Sequence, residues 1–242
     1  AVGSNDESGN GVINYTIKNG TTLGATFLDS SAVGAYNLKS NVIFGLAGTD
    51  TTTFDIATGG DADLDGSVTP SVDGKAASIG SPIAARHIAA QPNPVFTING
   101  TLNKTGAGML LFQGGTRTYS HGTGAVLNVN AGFIQANADI GGGGVLTVNA
   151  NTAGSAAAAG TVFNASQDLK ALNIGAGAKA AIASGGGKVL VSDGLSINAT
   201  GSLDITDNDV IIQGAGSGGL ASFTTKLQSG AYSGVNGYWD GP

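Results

Sequence analysis

Four stretches of this chain repeat one skeleton. "VLNVNAGFIQAN" from Val126, "VLTVNANTAG" from Val145, "ALNIGAGAKAAIA" from Ala171 and "GLSINATGSLDITDND" from Gly194 each set apolar residues two apart and then turn on Gly, Asn or Ala. The pairs are Leu127 and Val129, Leu146 and Val148, Leu172 and Ile174, and Leu195 and Ile197. Period-two alternation in short pieces marks strands with one buried face, and helical periodicity is almost absent. Starting from Leu102, the marks Leu127, Leu146, Leu172 and Leu195 follow at intervals of about 19 to 26 residues, the spacing of solenoid coils. One coil of a β-solenoid carries two or three short strands, whose backbones pair with the next coil at about 4.8 Å and whose inward side chains stack on those of that coil. The expected fold is therefore all-β.

"TLNKTGAGMLLFQGG", residues 101–115, reads as one corner of such a coil. Gly106 and Gly108 supply backbone conformations closed to other residues, and "MLLF" resumes the wall with alternate residues pointing into the stack. A narrow core of stacked coils favours layers of Ala, Val, Leu and Ile; bulky aromatics, 6% of the chain, would crowd it.

The same residues carry a resemblance. "LNKTGAGMLLFQGGTRTY" followed by "LNVNAGFIQAN" is similar to the autotransporter-associated β-strand repeat, with Lys104, Thr105, Gly106, Gly108, Leu110, Tyr119, Gly132 and Ile134 at its marked places and Phe112 where a second Leu is usual. "GSLDITDNDVIIQG" and the tail "LQSGAYSGVNGYWDGP" resemble the closing segment found after such repeats in large secreted bacterial proteins. The resemblance implies a right-handed parallel β-helix, outside the cell or on its surface, and no catalytic residues.

Composition agrees with a folded chain. Gly 42 and only 11% charged residues raise the prospect of a solvated low-complexity chain, but 41% hydrophobic residues and a mean hydropathy of +0.15 provide enough apolar surface for a core. There is no cysteine, which excludes disulfides and thiolate metal sites. A net charge of −6 with ten Lys and Arg spread thinly argues against a nucleic-acid partner. No apolar run approaches the roughly 18 residues that cross a bilayer, so no membrane span is expected. "AVGSNDESGN" lacks the layout of a signal peptide and reads as a mature end or a fragment.

Along the chain the expected units are an N-terminal β segment at 1–58, a proline-rich insertion or joint at 59–94, solenoid repeats at 95–215 and a tail or cap at 216–242. In the first unit "GVINYTIKNGTTLGATFL" and "YNLKSNVIFGL" read as strands, with a turn at Asn19-Gly20, although residues 1–94 depart from the repeat pattern. Pro70, Pro82, Pro92 and Pro94 gather in the joint, where "SPIAARHIAAQP" has a cap at Ser81 and proline at both ends, the signals of a helix.

The best ligand signal is "DADLDGS", where Asp61, Asp63 and Asp65 alternate before a Gly, as in loops that wrap oxygen atoms around calcium. The twelfth position of such a loop is Val72, so Asp73, one residue late, is the candidate closing ligand. The competing reading is a polar surface turn. "DITDND" gathers Asp204, Asp207 and Asp209, but within one turn rather than across coils, which fits a solvated turn better than acid–base work on a polysaccharide. His87 and His121 have no neighbouring Ser and Asp that would nominate a triad. "GAGAKA" from Gly175 and "GGGK" from Gly185 read as corners rather than nucleotide loops. The Asn-x-Thr sequons at Asn14, Asn99 and Asn198 arise readily in a chain so rich in these residues. Aligning Thr147 with Asn128, Asn173 and Ser196 leaves no rank of threonines, which excludes an ice-binding face.

The expectation for function is accordingly mechanical, with no enzyme activity: an extracellular structural protein, either a self-assembling filament subunit or an adhesin stalk, forming a homopolymer by end-to-end or strand-addition contacts. The alternative is a carbohydrate-active or glycan-binding β-helix.

Overall fold

The structure is a computed structural model that describes residues 14–25, 35–37, 41–56, 61–63, 95–112, 118–152 and 159–214. Three sheets, in which all pairings are parallel, wind around one core. The first holds β1 (Asn14–Ile17), β4 (Asn41–Phe44), β7 (Val95–Ile98) and β10 (Thr118–Tyr119). The second stacks β2 (Thr22–Ala25), β5 (Thr51–Ile56), β8 (Thr101–Thr105), β11 (Val126–Val129), β13 (Thr147–Ala150), β15 (Gln167–Ile174), β17 (Val189–Ile197) and β19 (Asp209–Ile212). The third stacks β3 (Ala35–Asn37), β6 (Asp61–Asp63), β9 (Met109–Phe112), β12 (Phe133–Ala136), β14 (Thr161–Phe163), β16 (Lys179–Ile182) and β18 (Ser202–Asp204). Consecutive strands lie in different sheets and each pairs with the strand one coil away, so the fold is the expected β-solenoid. No helix occurs among the described residues.

The strands ahead of residue 64 continue the same sheets: β4 pairs with β7, β5 with β8 and β6 with β9. What reads in sequence as a separate N-terminal β segment forms further coils of one ladder. The Asn19-Gly20 turn joins β1 and β2, which belong to different sheets, so it is a solenoid corner and not a hairpin. Most of the proline-rich joint, the helix signal at 81–92 and the tail from 216 lie outside the described residues.

Three sequence expectations are corrected. The leucine column is right at Leu102, Leu127, Leu172 and Leu195, but the residue stacked between Leu127 and Leu172 is Val148, not Leu146. The intervening loop has a different length from its neighbours, and parallel pairing follows the backbone rather than residue identity. Thr147 therefore pairs with Val126 and Ala171 instead of Asn128 and Asn173. The core is also not purely small and aliphatic. Phe44, Phe54, Phe96, Phe112 and Tyr119 enter from all three sheets and pack with ring centroids 5.4–6.0 Å apart. Tilted and edge-on contacts of this kind stabilise beyond simple burial. Rings concentrate where the first sheet is present; beyond β10 the interior is mainly aliphatic, with Leu127, Val129, Ile134, Val148, Leu172 and Ile174, and Phe163 is a buried ring among them. Finally, all four residues of β9 are buried rather than alternate ones, although Met109 and Leu111 fall outside the main core cluster.

Candidate functional site

Among the inward positions of the second sheet, one column runs Leu23, Phe54, Lys104, Val129, Ala150, Ile174 and Ile197. Six members are apolar and the seventh is a fully buried lysine. An unpaired ammonium inside a protein costs several kcal/mol, so its surroundings must supply acceptors. They are backbone carbonyls. Nζ donates to Thr105 O at 3.1 Å, Gly106 O at 2.7 Å and Ala131 O at 2.8 Å, and it also bonds to Gly108 O. Three of these carbonyls belong to the β8–β9 corner and the fourth to the corner of the following coil, so one side chain ties the two corners together. Burial pulls the Lys104 ammonium down to about 8, with Asp55 opposing the shift.

The glycines of this corner follow from the same packing. Gly106 has φ +71° and a Cβ there would collide with the Ile56 carbonyl of the preceding coil. Gly132, φ +61°, faces the Gly108 carbonyl and Lys104 Nζ, so no side chain fits. Beside them Thr105 Oγ1 donates to Asp55 Oδ1 at 2.8 Å, crossing to the preceding coil. Lys104, Thr105 and Gly106 of the Lys-Thr-Gly-x-Gly run thus each have a separate geometric reason, whereas Gly108, expected to need a conformation closed to other residues, does not have a positive φ.

A second set of polar groups replaces the first sheet where it stops. After β10 the chain returns to that side in residues 138–144, which form no strand. His121, half-buried, accepts the Ile98 N–H at Nδ1 over 3.2 Å and lies with Nε2 2.8 Å from Ile140 O, which fits Nε2–H as the donor. The Ile140 N–H donates to Gln167 Oε1 at 3.0 Å, and Gln167 Nε2 donates to Ala138 O and Ala165 O at 2.7 and 3.1 Å. Side chains here take over bonds that strands make elsewhere. Burial lowers the His121 pKa from its ordinary value, against smaller upward pulls from the Ile140 carbonyl and Asp139.

On the outer face of the second sheet, Asn103, Asn128, Asn149 and Asn173 form a ladder. Each amide Nδ2 donates to the Oδ1 one coil earlier, at 2.8, 2.7 and 2.8 Å, over sequence separations of 25, 21 and 24 residues. A neighbouring rung joins Asn151 to Asn130 at 3.0 Å, and on another wall Asn164 donates to Asn137 at 2.7 Å. Such amide ladders reinforce parallel, in-register strands because identical side chains meet at the coil spacing. The result is an uncharged amide wall on an acidic chain.

The sequence-nominated groups fall elsewhere. Asp61 and Asp63 lie in β6, at register positions opposite Met109 and Leu111, while Asp65 and Asp73 are outside the described residues. Among the described residues no group of three or more His, Asp or Glu stands close enough to hold a metal. In "DITDND", Asp204 Oδ1 accepts the Thr206 N–H at 2.9 Å and Asp207 Oδ1 accepts the Gly185 N–H of the preceding coil at 3.0 Å. The backbone N–H of Gly186, with that of Gly185 and the Thr206 hydroxyl, holds Asp207 below the usual carboxylate range. Asn208 closes the turn by donating to Ala183 O at 3.0 Å and Thr206 Oγ1 at 2.7 Å. "GAGAKA" holds the corner between β15 and β16 and the first two residues of β16, and Lys188 of "GGGK" donates to Ser184 O at 2.9 Å. Asn99 spends its amide on Gly45 O at 3.2 Å. His87 lies outside the described residues.

Comparisons with family models, curated proteins and solved structures found no match.

Sequence reasoning missed the amide ladder and the parts played by Lys104, His121 and Gln167. The ladder had a signal, the Asn that directly follows the stacked Leu or Val in "TLNK", "VLNV", "TVNA" and "ALNI". Aligning on that pair rather than on the first Leu of each unit yields the correct register. For His121 and Gln167 no local signal exists, since their partners are backbone groups of other coils.

Proposed function

We propose that this chain is a structural protein of the cell exterior or surface, a filament subunit or the stalk of an adhesin, that it associates with further copies of itself, and that it is not an enzyme. One observation carries this reading: the buried side chains with the greatest chemical potential are spent on joining coils. Lys104 and Gln167 bind backbone groups of adjacent turns, and His121 and Asn208 do the same at the solenoid's corners. A catalytic lysine or histidine needs a reacting atom within reach, whereas these groups face peptide carbonyls and N–H donors. The amide ladder is a further axial tie with the same effect, since it resists coil separation along the rod.

Parallel pairing with a constant register also supports self-association. A strand added at either end of such a ladder meets the same hydrogen-bond pattern that each internal strand meets, and a head-to-tail contact that does not close propagates into a filament. The extracellular assignment rests on the sequence resemblance to the autotransporter-associated repeat, whose Lys-Thr-Gly-x-Gly residues are those that build the lysine corner. Calcium at Asp61, Asp63, Asp65 and Asp73 belongs to the same reading as a structural ion, with the alternation of the carboxylates as its support.

Negative-stain electron microscopy and sedimentation of the full chain over a concentration series test the proposal. Rods that join into filaments of uniform width as concentration rises are expected. Short single rods at every concentration overturn the filament reading.

A further inference from the structure

We propose that His121 is an acid-sensitive pin, which holds residues 138–144 against the solenoid while neutral and releases them when the imidazole takes up a second proton. The inference concerns one joint of the fold and does not depend on how copies associate.

The geometry allows one tautomer. Nδ1 accepts from Ile98 N–H, so it carries a lone pair, and Nε2 carries the proton shared with Ile140 O. A proton arriving from solvent can be taken up only at Nδ1, where it meets the Ile98 N–H donor head-on. The Nδ1 bond is then lost, and a full positive charge stands in a half-buried ring packed edge-on against Phe96, with centroids 6.4 Å apart at 83°. Relief comes by rotating the ring outward, which also breaks the bond to Ile140 O.

The groups around the ring do not compensate. From β7 it meets Phe96 and Ile98, neither of which titrates. The loop itself contributes Asp139, which favours the imidazolium, but its Oδ1 is already held by the Gly141 N–H at 2.8 Å and the Asp168 N–H at 3.1 Å. From β15 the nearest side chain in the relay is Gln167, an uncharged amide, while the Asp168 carboxylate lies toward Gly144. Gly142 packs against the ring edge.

Residues 138–144 are the place where release has the largest effect. On either side of them in the stack the wall is a backbone ladder, which one side chain cannot open. Here the wall hangs on His121 at one edge and Gln167 at the other, together with the Asp168 N–H bond to Asp139 Oδ1 and the bonds of Gly144, Val145 and Leu146 to Asp168 and Gly141. Losing the His121 edge uncovers the β10 side of the aromatic core.

Hydrogen exchange of the full chain, corrected for intrinsic chemistry, tests this at about pH 7.5 and about pH 5. Protection of residues 138–146 should fall by about tenfold or more at the lower pH while β8 and β11 keep theirs; equal loss everywhere, or none, overturns the proposal. His121→Gln keeps a donor and an acceptor but does not titrate, and should remove the pH response, whereas Asp139→Asn should retain it. A response that survives in His121→Gln and disappears in Asp139→Asn assigns it to the carboxylate and overturns the proposal. A readout without substitution is the imidazole nitrogen resonances of the unaltered chain, assigned against His87. They should show the Nε2–H form at neutral pH and titrate below 6.5; an Nδ1–H form or titration above that value overturns it.

Discussion

Lys104 Nζ and the carbonyl oxygen of Ala131 lie 2.8 Å apart, and they belong to successive coils. This contact closes a set of four carbonyls around one ammonium in an otherwise apolar column. Lys104→Met keeps the length and apolar body of the side chain but removes the donor that these four carbonyls share. It should cost about 2–4 kcal/mol in chemical denaturation. A loss below about 1 kcal/mol would mean that water enters the corner and replaces the ammonium.

Gly132→Ala probes the same corner from the other side. Its Cβ would meet both the Gly108 carbonyl and Lys104 Nζ, at a φ of +61° that alanine disfavours. The left-handed conformation alone costs about 1–2 kcal/mol. With crowding added, the melting temperature should drop by more than that term accounts for. A variant as stable as the parent would show that the corner shifts freely, and the lysine cage would lose its geometric basis.

Asn128 donates to Asn103 and accepts from Asn149. Single changes of Asn128 or Asn149 to Ala should each cost about 1 kcal/mol. A double-mutant cycle between them should give a coupling of about 0.5–1 kcal/mol, because both members of one bond are removed. Strict additivity would reduce the ladder to surface decoration.

Thr161 points into the core in the column of Leu110, Ile134 and Ala180, and its Oγ1 is fully buried with no hydrogen-bond partner among the described residues. An unmatched buried hydroxyl destabilises the native state by about 1–3 kcal/mol. Thr161→Val has the same shape without that defect and should raise stability by about 1 kcal/mol. A fall would place an undetected acceptor beside the hydroxyl.

Stability should rise with pH through two windows. The His121 pKa is lowered from 6.5 in the folded chain, so unfolding takes up a proton below that pH, and stability is lost as pH falls through it. Lys104 is lowered from 10.5 to about 8, so unfolding takes up a proton between these values and stability increases across that interval as pH rises. Denaturation midpoints measured from about pH 5 to 10 check both signs. Lys104→Met should flatten the upper window alone, and His121→Gln should reduce the slope of the lower one.

Much of this was legible in the chain. The alternation in "VLNVN", "TVNAN" and "ALNIG" specifies strands with one buried face, and the glycines of "KTGAG" specify a corner, because both are local properties of backbone and side chain. Register was harder to read. The Asn ladder rests on separations of 25, 21 and 24 residues, and a mark based on residue identity slipped by two at Leu146, since loop length is free to vary while pairing is not. The DxDxDG signal drew attention to carboxylates, whereas the polar groups that join coils are a lysine, a histidine and amides whose partners are peptide groups.

By itself the sequence settled that this chain forms short strands closed by small turns and that they stack in a repeating coil, because period-two alternation and glycine corners act over a few residues. Only the tertiary structure decided which residue sits over which, that Lys104 faces inward and that His121 and Gln167 stand in for missing strands. Those outcomes depend on contacts between residues some twenty positions apart, where loop lengths and backbone pairing, rather than side-chain pattern, set the position of each group.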